Sequence, residues 1–230
     1  MNKLVLKVSL RKVNSENNPE IKAFADLTIG DIVVRDVAVK VKDTPDGQKI
    51  IFDMPLSRTY ETNDGEKKYI KAVELYSTDD KLKEAIIYDI KTVISDALKN
   101  TEANEFNKYT AELKTDIEYD NTRIISKVYP VENNDNSLRG FSNLIYGNII
   151  KFNDIAVKEF VRNSDGKPFI AIQFPQKAVE KESGKEYFDK AFPSVQGLRE
   201  QFRQSIEEAY VEALENQMNT NNIDEDEMSI

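Results

Sequence analysis

The chain has 230 residues, 40% of them apolar, with no cysteine, no histidine and a net charge of −9. Lacking cysteine, it has no disulfides and no thiolate chemistry; lacking histidine, it has no Ser-His-Asp triad, no His-containing zinc site and no imidazole base. No apolar run approaches the length of a membrane span, and Met1–Lys7 lacks a signal peptide's apolar region, so a cytoplasmic protein with no membrane partner is expected.

Leu4, Leu6, Val8 and Leu10 alternate with Lys3, Lys7, Ser9 and Arg11, which predicts a half-buried strand. Past a turn-rich stretch at Asn14–Pro19, the alternation of Ile21, Ala23, Ala25, Leu27 and Ile29 predicts a second. Gly30-Asp31 reads as a hairpin dipeptide, with further strands at Ile32–Val41 and Lys49–Met54. Their short connections imply antiparallel pairing. A polar loop (Ser57–Lys68) and a short apolar stretch (Tyr69–Tyr76) follow. Leu82, Ile86, Ile90, Val93 and Ala97 then step by three and four, the mark of an amphipathic helix, with Ser77 and Asp80 at capping-box spacing.

Much of this pattern returns. Phe24-Ala-Asp-Leu-Thr-Ile-Gly30-Asp reappears as Phe141-Ser-Asn-Leu-Ile-Tyr-Gly147-Asn, and Asp36-Val-Ala-Val-Lys40 as Asp154-Ile-Ala-Val-Lys158. Gly47 pairs with Gly166 and Gly65 with Gly184; glycines chosen for backbone geometry are the strongest markers of such a repeat. A second helix is predicted from an N-cap at Ser194 through Leu198, Phe202, Ile206, Ala209, Tyr210, Ala213 and Leu214. The expected fold class is α+β: two similar domains, each an antiparallel sheet of about four strands with a C-terminal helix, paired within the chain as a pseudo-dimer. Their expected bounds are 1–99 and 122–216, separated by an acidic, partly helical linker (100–121) and followed by an acidic disordered tail (217–230).

The charge is unevenly placed. Residues 1–99 carry 17 basic and 17 acidic groups, residues 122–216 carry 13 and 14, the linker 2 and 6, and the tail none and 4. The two repeats are therefore near neutral and free to present a basic face. No P-loop, GxGxxG or EF-hand loop occurs, and the run Asp224–Glu227 offers no fixed cation geometry. Neither enzymatic activity nor a cofactor or metal is expected.

Val8-Ser-Leu-Arg-Lys-Val13, Lys22-Ala-Phe-Ala25, Val33-Val-Arg-Asp-Val-Ala-Val39 and Ile51-Phe-Asp-Met-Pro-Leu-Ser-Arg58 resemble the SpoVG family (stage V sporulation protein G, or septation protein), in order and spacing across residues 5–98. Gly140-Phe141, Asp154-Ile-Ala-Val157 and Phe174-Pro-Gln-Lys177 carry a weaker match in the second copy. The family's usual His-Pro is replaced by Val73-Glu74 and Phe192-Pro193, and the family is typically a single short domain. The resemblance implies a non-enzymatic bacterial regulator that binds DNA or RNA as a dimer.

The resemblance implies contacts by basic residues and, carried over by position, gives Arg58 and Lys177; nearby are Lys67, Lys68 and Lys71 in the first copy and Lys181, Lys185 and Lys190 in the second, and Arg199 and Arg203 sit four apart on the polar side of the second helix. Lys81, Lys83 and Lys91 are counterpart choices on the first helix, and Tyr60, Tyr69 and Tyr187 either stack on unpaired bases or belong to strands. Acidic neighbours dilute both loops. The alternative reading is therefore a structural or protein–protein interaction module without a nucleic-acid surface.

Overall fold

The computed structural model describes residues 1–13, 18–45, 47–99, 109–131 and 137–227. Leu4, Leu6, Val8 and Leu10 point inward from β1 (Asn2–Lys12), as do Ala23, Ala25, Leu27 and Ile29 from β2 (Ile21–Ile29). β3 (Ile32–Thr44) buries Ile32 and Val34, then Val37 and Val39. This change of phase comes from Asp36, which takes φ +57° in a bulge opposite Asp26. One extra residue lets both segments of the strand face the core. β11 (Ile150–Val161) repeats the device at Asp154, φ +55°, opposite Asn143 of β10 (Leu138–Tyr146).

β4 (Gly47–Asp53) pairs with the later part of β3, and β12 (Pro168–Gln173) with the later part of β11. Next in each half comes a separate hairpin: β5 (Leu56–Glu61) with β6 (Lys67–Lys71), and β13 (Gln176–Lys181) with β14 (Gly184–Asp189). The sequence predicts a loop over Ser57–Lys68 because this hairpin is polar on both faces and leaves no alternation to detect. Two three-residue strands follow the hairpins, β7 (Val73–Leu75) and β15 (Ala191–Pro193), and each crosses to the other half of the chain. β7 pairs with Ile150–Phe152 of β11, and β15 with Ile32–Val34 of β3.

The first sheet thus has the order β15-β3-β2-β1-β8 with β4 also on β3, and the second β12-β11-β10-β9 with β7 also on β11. β9 spans Ile124–Pro130. β8 (Tyr109–Tyr119) corrects the expected linker: Tyr109, Ala111, Leu113, Thr115, Ile117 and Tyr119 turn inward with a period of two, and the free edge of β1 recruits them into the sheet. Asn100–Lys108, the rest of that linker, lies outside the described residues.

The expected α+β pair of similar domains, each with its own four-stranded sheet and C-terminal helix, is overturned. Fifteen strands and two helices among the described residues make the protein mostly β, and both large sheets are assembled from both halves of the chain. A single apolar cluster runs through the two sheets and both helices. α1 (Asp80–Lys99) buries Ile86, Ile90, Val93, Ile94 and Ala97 against β1, β4 and β8. Its cap is Asp79, whose Oδ1 accepts Lys81 N at 2.9 Å; Ser77 Oγ instead accepts Asp79 N. α2 (Leu198–Glu227) packs Leu198, Phe202, Ile206 and Tyr210 on the second sheet. It extends through residue 227, so most of the segment expected as a disordered tail is helical. Ser194 does not cap it, and binds the Asp31 carbonyl oxygen through its hydroxyl at 2.9 Å.

Candidate nucleic-acid interface

The two bulges govern where the hairpins sit. A left-handed residue in mid-strand swings its side chain out of the pleat, which aims Asp36 and Asp154 at the hairpin of the other half. Lys177 of β13 meets Asp36 Oδ2 at 2.8 Å. Arg58 of β5 places Nε 3.1 Å from Asp154 Oδ2 and lies 5.5 Å from the Phe141 ring centre. That contact is an ion pair without hydrogen-bond alignment, so the buried oxygen has no hydrogen-bond partner among the described residues. Lys190 reaches the Leu56 carbonyl oxygen, and burial pushes its pKa down despite nearby Asp36.

Most of the candidate cations are therefore engaged at home. Lys185 faces Glu180 at 3.6 Å, and Arg199 meets Asp189 at 3.0 Å while covering Phe174. Arg203 is clamped between Glu200 at 2.7 Å and Glu207 at 2.6 Å, and its hydrogen bonds hold Glu200 below the usual carboxylate range. Arg58, Lys177, Lys185, Arg199 and Arg203 thus act first as intramolecular partners. Lys67, Lys68 and Lys71, all exposed on β6, have no carboxylate within ion-pair distance among the described residues, and neither has Lys190, whose ammonium binds a carbonyl oxygen instead. Of these positions, Lys177 and Lys190 come together beside Asp36, and Lys190 reaches β5, the strand that carries Arg58.

Another set of lysines does converge. Between β4, β6, β7 and α1 runs a groove of about 710 Å³, floored by Ile51, Phe52, Met54, Leu75 and Ile87. Lys49, Lys71, Lys83 and Lys91 rim it with Tyr69, which is 61% exposed. None of the four lysines has a carboxylate partner among the described residues. Among the described residues Glu74 is the only acidic one lining it, and its Oε1 already accepts Asn153 Nδ2 at 2.6 Å. Lys83 and Lys91 are half-buried and line the groove on either side of Ile87. They stand eight residues apart on the i, i+4, i+8 ridge of α1, about 12 Å along its axis. The groove continues past Lys91 to a second hollow bordered by Tyr88 and Lys99.

Sequence reasoning named Lys71, Lys83 and Lys91 separately and missed Lys49, whose strand register brings it opposite α1. The available signal was the i, i+4, i+8 spacing of Lys83, Ile87 and Lys91, basic–apolar–basic along one face. A part-buried polar cluster ties the two halves of the chain together: Tyr119 and Tyr146 both donate to Asp31 Oδ2, at 2.8 and 2.6 Å. Burial first, and the carboxylate second, raises both phenol pKa values. Among the described residues no cluster of acidic side chains has metal-binding geometry, and no helix is long and apolar enough to cross a membrane. No protein-family model, no curated protein and no solved structure matches this chain.

Proposed function

We propose that this is a non-enzymatic, cytoplasmic nucleic-acid-binding protein of regulatory type, with the lysine groove of α1 and β4 as its phosphate track. One observation carries the reading: among the described residues, four lysines without carboxylate partners rim a groove whose only lining acid is already hydrogen-bonded. Like charges are held together at a cost in repulsion, which a polyanion relieves by displacing its own counterions. The resemblance of residues 5–98 to the SpoVG family supports the same partner. The net charge of −9 does not oppose it, because a bound phosphate responds to the local field within a screening length of about 8 Å.

The test is affinity against salt for a short fluorescent oligonucleotide. Four phosphate contacts predict a slope of log K on log[salt] of about −3 for a single strand. Lys83→Glu with Lys91→Glu weakens binding and flattens the slope to about half that value. Absence of binding at low salt, with the fold intact by circular dichroism, transfers the chain to the interaction-module reading.

A further inference from the structure

A second cleft opens on the other side of Tyr69, and its chemistry differs from that of the groove. It encloses about 390 Å³, in the range of small-ligand sites, between the β5–β6 hairpin and the β10–β11 bulge. Arg58, Tyr69 and Ile70 form the hairpin wall; Tyr129, Phe141, Asn143, Lys151, Asn153 and Asp154 form the sheet side. Among the described residues its charges cancel: Arg58 is paired with Asp154, and Lys151 stands opposite Glu74 in the strand register. Tyr129 is 48% exposed and Tyr69 61% exposed. The half-buried Asn143 has no side-chain partner among the described residues, and both protons of the Asn153 amide are committed, to Lys71 O and Glu74 Oε1. The corresponding bulge of the first sheet differs. There Asp26 replaces Asn143, its carboxylate accepts Asp36 N, and Lys177 holds Asp36.

We propose that this cleft holds one unstacked nucleobase of a single strand whose backbone lies in the adjoining lysine groove, a deepening that rests on the function proposed above. The two sites share Tyr69 and Glu74, so they adjoin and one strand can occupy both. A cationic groove suits phosphates; a neutral cleft with exposed aromatic rings and a free amide suits a base, whose faces stack and whose edge hydrogen-bonds. A base inside a duplex is not available to such a cleft, so the chain selects single strands.

The experiment compares three probes of about 12 nucleotides, within the span of single-strand grooves: a mixed-sequence strand, its duplex, and a strand of abasic residues with the same phosphates. Each is titrated by fluorescence anisotropy against the full chain, in DNA and RNA series. The wild type binds the base-bearing strand about tenfold more tightly than the abasic strand or the duplex in at least one series. Tyr129→Ala removes that advantage and leaves abasic affinity unchanged, Tyr129→Phe restores it, and Lys83→Glu with Lys91→Glu weakens all probes alike. Equal binding of base-bearing and abasic strands, or an unchanged advantage in Tyr129→Ala, overturns the cleft and spares the groove. No binding of any probe at low salt overturns both.

Discussion

Two tight turns press on one ring, and this makes Gly147 a sensitive point of the packing. Gly30 (φ +58°) and Gly147 (φ +62°) close the β2–β3 and β10–β11 hairpins. A Cβ at Gly147 would lie 2.7 Å from Tyr119 Cδ2, and one at Gly30 would lie 2.7 Å from the hydroxyl of the same tyrosine. The ring has nowhere to retreat, since its hydroxyl is anchored to Asp31 at 2.8 Å. Gly147→Ala therefore carries two penalties: about 1–2 kcal/mol for an L-residue in the left-handed region, and about 1–3 kcal/mol for forcing a well-packed side chain to move. Gly166→Ala is the matched control, because its φ is +68° but nothing among the described residues lies within 4 Å of the added methyl. It bears the backbone penalty alone. Urea unfolding followed by far-UV circular dichroism measures both. The expected difference between the variants is about 1–3 kcal/mol, a large part of a typical total stability of about 5–15 kcal/mol. Equal midpoints for the two variants would refute the clamp on Tyr119.

The buried phenols give an alkaline signature: both folded-state pKa values stand above the ordinary 10.0, so their contribution is complete below about pH 10 and is lost as pH rises further, when the unfolded chain alone releases the protons. Stability measured by urea at rising pH should fall by about 1.4 kcal/mol per unit for each tyrosine, and Tyr146→Phe should remove one share. Arg203→Glu sets three carboxylates side by side on α2 in place of the clamp; it should cost about 1 kcal/mol in thermal or urea unfolding while leaving oligonucleotide affinity unchanged, whereas a loss of affinity equal to that of the Lys83/Lys91 variant would return Arg203 to the site. Residues 1–99 produced alone lack β8 and β15, and residues 109–230 lack β7. Neither fragment should unfold cooperatively as a monomer, their mixture should recover a cooperative transition, and a monomeric two-state melt of either one would contradict the shared core.

The period of two in Leu4–Leu10 and Ile21–Ile29, and the glycine turns between strands, were legible because each is a property of neighbouring residues. The helical stripe from Ile86 to Ala97 and that from Leu198 to Tyr210 were legible for the same reason. The repeated Asp36-Val-Ala-Val-Lys40 and Asp154-Ile-Ala-Val-Lys158 marked matching places in the chain, but not that each begins with a left-handed bulge. What the sequence could not reveal was the destination of Val73–Leu75 and Ala191–Pro193. A three-residue strand has no periodicity of its own, and its partner lies more than 70 residues away. Those crossings turned an expected pair of domains into one mostly-β body with a common core. Tyr109–Tyr119 was drawn into β1's sheet by an edge that local spacing cannot see. The candidate site followed the same rule. Basic residues were countable in advance, but whether each had a carboxylate within reach depended on contacts such as Arg58 with Asp154 and Lys177 with Asp36, which join opposite halves of the chain. The sequence by itself determined the local elements and the inventory of charge; the tertiary structure decided which charges were neutralised at home and which four lysines were left around a groove, because electrostatic pairing acts through space rather than along the chain.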